Sequence, residues 1–380
     1  MAVHTCTALA PVNIAVIKYW GKKNEDLILP VNDSISLTLS KKKMCAKTTV
    51  ACSPTFESDR IWLNGIEQDF QSPRIQNCIR EIKRLARKKD YLSYHLHICS
   101  ENNFPTAAGL ASSAAGFACL VKALAVLYDV DDELSKIARQ GSGSACRSIY
   151  GGFVQWLSGN QNDGSDSIAK QIAPKEHWPE MRVMILVVNS KKKGTSSTNG
   201  MRNSVLTSSL LKHRVTEVVP QRVQTLNSAI LQKNFQTFAE IAMKESNQFH
   251  AICLDTYPPI HYLNSTSFMI IELVHAYNEL YKKNKLAYTF DAGCNAFLFM
   301  LEEDVPEICA LIKAAFPPID DNGNFIKGFI DSSFEVPLDT FKKLNIAPHP
   351  GLLQHVIYTQ VGSGPAIISE HLLNEKGLPL

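Results

Sequence analysis

No stretch of the 380 residues reaches the 18 or more consecutive apolar positions of a membrane-spanning helix. The opening MAVHTCTALAPVNIAVIKYW lacks a basic segment followed by an uninterrupted apolar one, which argues against a secretory leader. Charge of one sign is also lacking. Thirty-nine Lys and Arg oppose thirty-six Asp and Glu, a net charge of +3, so no global field demands nucleic acid and any anion site must be a local cluster. The ten cysteines include no Cys-x-x-Cys and no zinc-finger spacing. They read as reduced, mostly buried thiols, and the expectation is a cytoplasmic protein with no membrane or nucleic-acid partner. His-Glu-x-x-His and Gly-x-Ser-x-Gly are absent, which removes two common hydrolase sites.

What is present is ordinary globular composition, 45% apolar and 20% charged, at a length that suggests two domains. Strands are expected from Ala10 to Tyr19, Ile35 to Leu39 and Tyr94 to Ser100, with a hairpin turn at Gly65. Pro73 to Lys89 has an amphipathic helix pattern, and Ala111 to Tyr128 a stronger one with Phe117, Leu120, Val121, Leu124 and Leu127 in a stripe. A further helix is expected from Asp132 to Gln140. Met181 to Asn189 is an unbroken apolar run, the signature of a buried strand. The polar KKKGTSSTNG after it suggests a domain boundary or a mobile loop, and as a boundary it divides the chain into 1–189 and 190–380. Helical spacing follows over Ser204 to Gln232, Phe235 to Met243 and Thr266 to Asn284, then strands over Leu286 to Asp291 and Ala296 to Leu301.

Four segments can carry chemistry. In Pro105-Thr-Ala-Ala-Gly-Leu-Ala-Ser-Ser-Ala-Ala-Gly116, small residues run into a strong helix with Ser112 and Ser113 in its first turn. Free backbone N–H groups and the positive helix end then surround two hydroxyls, which suits a phosphate chain; the alternative is a tight helix start. Gly141-Ser-Gly-Ser-Ala-Cys-Arg147 is a second small-residue loop, matching neither Walker A nor Gly-x-Gly-x-x-Gly. Its Arg147 could fork onto an anion, or the loop is a connector with a surface arginine. Lys18 and Lys22 end an apolar strand, and a buried ammonium needs an acid or an anionic ligand. Asp291, in Thr289-Phe-Asp-Ala-Gly-Cys-Asn295, is a general base, a lysine partner or a turn residue. The four tryptophans are scattered and read as core.

The serine-rich segment resembles the phosphate-binding motif of the GHMP small-molecule kinases. Together with Ala10-Pro-Val-Asn-Ile-Ala, Lys18-Tyr-Trp-Gly-Lys22, Ser142-Gly-Ser-Ala-Cys-Arg147 and Asp291-Ala-Gly, in that family's order, the chain is similar to the mevalonate diphosphate decarboxylases. The resemblance implies an α+β two-domain GHMP kinase fold, with an N-terminal domain like ribosomal protein S5 domain 2 and a ferredoxin-like C-terminal domain. It implies ATP as co-substrate, Mg²⁺, (R)-5-diphosphomevalonate as substrate, and a homodimer. By the same resemblance Asp291, Lys18, Arg147 and Ser113 are catalytic. Tyr19, Trp20, Gly21, Lys22, Arg74, Ser142, Gly143, Ser144, Ala145, Cys146, Arg147 and Thr198 hold the substrate. Ala107, Gly109, Leu110, Ala111, Ser112 and Ser113 hold the nucleotide, with Ser112 on the metal. One departure is visible: Cys294 follows Asp291-Ala-Gly where the family usually has proline. Two rivals stand beside this reading, a GHMP kinase that stops after phosphorylation and a GHMP-fold sensor without turnover.

Overall fold

The computed structural model describes residues 3–103, 112–189, 194–320, 325–328, 343–344 and 347–380. The apolar opening expected as one strand is two. His4–Pro11 lies in a six-stranded sheet, and after Val12 the strand Asn13–Ile17 runs along the edge of a separate four-stranded one. Pro11 and Asn13 thus belong to different layers, and the chain emerges from the second sheet at Lys18.

Across the six-stranded sheet the order is Ala366–Ile368, His4–Pro11, Cys45–Ser53, His95–Asn102, Arg60–Leu63 and Ile66–Gln68. Asn64 and Gly65 both have positive φ, 50° and 78°, as a two-residue hairpin turn requires. The helix Ser112–Leu127 packs on His4–Pro11 and Cys45–Ser53. Its stripe is wider than expected: Ala114, Ala115, Ala118, Cys119 and Ala123 are buried as well, so small residues let it settle close to the sheet. The four-stranded sheet orders Ala169–Ala173, Phe153–Trp156, Ser34–Thr38 and Asn13–Ile17.

The second half is built on a five-stranded sheet, ordered Leu286–Phe290, Ala296–Leu301, Met181–Val188, Leu353–Gln360 and Ile326–Lys327. Met181–Val188 is buried at every position, as its sequence demands, but it is the middle strand here. The expected division after residue 189 therefore places the centre of this sheet in the wrong half. The basic helix stops at Leu85 rather than Lys89, and the segment Phe235–Asp255 extends twelve residues beyond the expected Met243. The expected helix over 204–232 is interrupted by a π-turn at Arg214–Val218 between Ser209–His213 and Val219–Leu231.

Candidate active site

Lys18 and Asp291 each stand one residue past the end of a strand, Lys18 after Asn13–Ile17 and Asp291 after Leu286–Phe290. The two strands come from different halves and different sheets, and the side chains meet at 2.5 Å, Nζ to Oδ1. Lys18 is 2% exposed and the Asp291 side chain 31%. Burial pushes the Lys18 ammonium below the usual lysine range, and Asp291 opposes that.

Around this pair lies a cleft of about 310 Å³. Among the described residues four cations line it, Lys18, Lys22, Arg74 and Arg147, against one carboxylate, Asp291, which favours an occupant with several negative charges. Arg147 is 2% exposed and forms no ion pair among the described residues. Its Nη1 donates to Ser34 Oγ at 2.7 Å and its Nε to Asn13 Oδ1 at 3.3 Å, with the Trp156 ring 5.8 Å away. A buried guanidinium hydrogen-bonded to neutral groups favours an anion beside it.

Ser112 and Ser113 open the helix Ser112–Leu127 on the cleft wall, and Ser113 Oγ lies 3.2 Å from Ser142 Oγ. The first turn of this helix and the small-residue loop therefore meet. Tyr19 packs on Trp156, ring centroids 4.7 Å apart. Gly143 is required beneath it, since a Cβ there would come within 2.7 Å of the Tyr19 ring. On the far rim Arg74 Nη2 approaches Thr198 Oγ1 at 3.4 Å. Lys22 is paired with Glu25 at 2.5 Å.

The structure thus gathers Lys18, Tyr19, Trp20, Lys22, Arg74, Ser112, Ser113, Ser142, Gly143, Ser144, Arg147, Thr198 and Asp291 at one cleft. Three expected residues stand apart from its lining. Gly21 turns the chain at φ 100°, where a Cβ would strike Val205 and Val31. Ala145 and Cys146 are wholly buried, Cys146 against Val154, Trp156 and Ala169. Ala107, Gly109, Leu110 and Ala111 lie outside the described residues. The turn that lacks proline is held otherwise: the Cys294 carbonyl accepts from Ser267 Oγ at 3.1 Å, and Gly293 N–H donates to the Asp291 carbonyl at 2.7 Å.

Several residues at the site gave no sequence signal. Glu245 is fully buried; its Oε2 accepts from the Lys18 backbone N–H at 3.2 Å and from Arg214 Nη2 at 2.6 Å, and its Oε1 from Arg222 at 2.6 Å. His250, 8% exposed, lies beside the pair, and its Nε2 finds no partner among the described residues. Burial pushes this imidazole down to about 3, with the Lys18 ammonium adding to the effect and Asp291 opposing it. Because the folded value lies below the unfolded 6.5, the unfolded chain binds a proton here that the folded one refuses. Stability from this group is present above the unfolded value and is lost as pH falls toward 3. The expected loss between pH 7 and pH 5 is about 2 kcal/mol. Denaturant unfolding of wild type and His250→Gln at those two pH values checks it; equal acid losses in both would exclude His250 as the source.

A helix opening on two serines, a buried lysine–aspartate pair and a cationic cleft between two α+β halves fit the GHMP kinase class of phosphoryl-transfer enzymes. Two family models match the chain, the Diphosphomevalonate decarboxylase-like N-terminal domain over 10–169 and the Mevalonate 5-diphosphate decarboxylase C-terminal domain over 183–368. Diphosphomevalonate decarboxylase from Rattus norvegicus is 53% identical, over 99% of this chain and 96% of its own. The structure of mevalonate diphosphate decarboxylase from Trypanosoma brucei superposes with a TM-score of 0.92 at 42% identity, covering 97% of this chain and 100% of that one. A more distant structure, MDDEF in complex with MVAPP, AMPPCP and magnesium, gives 0.76 at 29% identity, over 97% and 100% of the two chains. The chain belongs to the diphosphomevalonate decarboxylase family.

Proposed function

We propose that this chain catalyses the ATP-dependent decarboxylation of (R)-5-diphosphomevalonate to isopentenyl diphosphate, CO₂, ADP and phosphate. The observation that carries the reading is the Lys18–Asp291 pair at 2.5 Å in the same cleft as a buried Arg147 without a carboxylate partner. Asp291 accepts the proton of the substrate's 3-hydroxyl, whose oxygen attacks the γ-phosphorus of ATP and releases ADP. Lys18 stabilises charge on the transferring group. The C3–O bond then breaks with phosphate leaving, and the electrons of the C–CO₂ bond become the new double bond. Arg147 orients the carboxylate, with Ser144 beside it, and stays behind when neutral CO₂ departs. Tyr19, Lys22, Arg74, the Ser142–Arg147 loop and Thr198 together hold the diphosphomevalonate, with Lys22, Arg74 and Thr198 suited to its diphosphate tail.

Ser112 and Ser113 are the nucleotide side of the cleft. Their hydroxyl oxygens fit Mg²⁺ carried mainly by phosphate oxygens, and no described group of three His, Cys, Asp or Glu could hold a metal unaided. Magnesium bound with ATP supplies neutralising charge on the phosphate chain. The same reading carries a cytoplasmic homodimer acting on a small molecule; no described helix is long and apolar enough to cross a membrane.

The test is turnover of diphosphomevalonate labelled at its carboxylate, with ATP and Mg²⁺, counting ADP and CO₂ together. One CO₂ per ADP is expected. ADP without CO₂ would make the protein a 3-kinase, and binding without either product a sensor.

A further inference from the structure

The residues that react in this reading are not held by their sheets. Lys18 and Asp291 both lie one position past a strand, where ladder hydrogen bonds have ended. What replaces the ladders is one helix, Phe235–Asp255, which packs against both strands. At Glu245 it takes the Lys18 N–H at 3.2 Å, and at Ser246 it takes the N–H of Phe290, the residue before Asp291, at 3.0 Å. One turn further, His250 faces the Phe290 carbonyl. Neighbouring side chains of a single rigid element thus set the backbone on both sides of the cleft.

Glu245 is itself held from two directions. Arg214 forks onto it at 2.6 and 2.8 Å and sends Nη2 to the Lys18 carbonyl at 3.2 Å, where Asn32 Nδ2 also donates at 3.1 Å. Arg222 donates to Oε1 as well, at 2.6 Å, and Gln248 Oε1 accepts from both arginines at 2.8 and 3.0 Å. Arg214 occupies the π-turn Arg214–Val218, a wide turn of the kind that recurs at functional sites. A core needing only packing has no use for a buried ion pair, Arg214 with Glu245, backed by the half-buried Arg222; this network is directed at one peptide.

We infer that Glu245 is a positioning residue for phosphoryl transfer, its carboxylate fixing the Lys18 peptide and thereby the seat of the Lys18 ammonium on Asp291. The inference rests on Lys18 and Asp291 being the reacting pair. Glu245 also biases the charge of Lys18. Acting on that ammonium are the carboxylates of Asp291 and Glu245 and the guanidinium of Arg147; Arg214 and Arg222 stand on Glu245, and the neutral imidazole of His250 lies beside the pair. Burial already favours loss of the Lys18 proton, Asp291 and Glu245 resist it, and Arg147 promotes it.

The experiment measures ADP and CO₂ formation separately, across pH, for wild type, Glu245→Gln and Glu245→Asp, with thermal unfolding as a control. In Glu245→Gln, kcat for ADP formation is expected to fall about ten- to a hundredfold with both KM values within about threefold, as for a displaced catalytic group. Its alkaline limb moves to lower pH, because the charge that kept Lys18 protonated is gone. Glu245→Asp restores the charge and returns the limb toward wild type. Should Glu245→Gln not fold, Arg222→Gln, which leaves Glu245 less neutralised, is expected to move the limb to higher pH. A folded Glu245→Gln with kcat within twofold and an unmoved limb, or an unmoved limb in Arg222→Gln, overturns the inference. Wild-type ADP without CO₂ defeats the decarboxylase reading alone, since the ADP rates still judge Glu245; no ADP at all removes both.

Discussion

Asp291→Asn is expected to lower kcat for ADP and CO₂ formation by about 10²- to 10⁴-fold, the range a positioned general base contributes. Diphosphomevalonate affinity should stay within about threefold, because charge complementarity with the substrate comes from the cations. The asymmetry follows from the pair's geometry. Lys18 is buried and fixed through its peptide, whereas the Asp291 side chain is 31% exposed and opens to the cleft. An amide of the same shape still accepts from Lys18 Nζ through its oxygen but cannot take a proton from a hydroxyl. Substrate binding by calorimetry and steady-state ADP release separate the two quantities. A kcat within tenfold of wild type would remove Asp291 as the base.

Arg147→Gln should act on the other side of the ledger, raising KM for diphosphomevalonate about 10²-fold, as loss of a hydrogen-bonded buried charge pair does. Its effect on the ligand-free protein has a sign that distinguishes function from structure. Among the described residues the buried Arg147 guanidinium has only neutral side chains, Asn13 and Ser34, as hydrogen-bond partners, so burial holds it below the usual arginine range and the folded state bears that desolvation. Glutamine relieves it. The melting temperature without ligand is expected to be equal to or above that of wild type, while the rise produced by saturating substrate largely disappears. Differential scanning fluorimetry with and without diphosphomevalonate decides. A large fall in the ligand-free melting temperature with an unchanged KM would make Arg147 a core residue and not a substrate ligand.

Legibility in the sequence followed the range of the forces involved. Ser112, Ser113, Arg147, Asp291 and Lys18 stood out because each sits in a short run whose composition is odd on its own terms: small residues before a strong helix, or charge at the end of an apolar strand. Glu245, Arg214, Arg222 and His250 could not be read that way. They occupy polar positions on helices, where a solvated face and a buried network have the same pattern, and only tertiary packing shows that Glu245 and Arg214 are inside. Cys45–Ser53 was likewise silent. CAKTTVACS is too polar for a central strand until Thr49 finds Thr7 at 2.7 Å and Thr48 finds Ser100 at 2.8 Å. The break after Pro11 was invisible because both pieces are apolar, and the allegiance of Met181–Val188 because a buried strand does not announce its neighbours.

The edge strand Ala366–Ile368 lies beside His4–Pro11, and the residues after it stay with the N-terminal sheet. His371 Nδ1 meets Thr7 Oγ1 at 2.7 Å, Leu372 N–H donates to Thr49 Oγ1 at 2.8 Å, and His97 Nδ1 meets the Gly377 carbonyl at 2.7 Å. During synthesis His4–Pro11 therefore keeps one edge open until Ala366–Ile368 has been made. During that interval the unpaired rim of His4–Pro11 is a template for any other extended chain nearby. A nascent chain stalled before residue 366 would therefore leave its earliest strand with an unpaired rim.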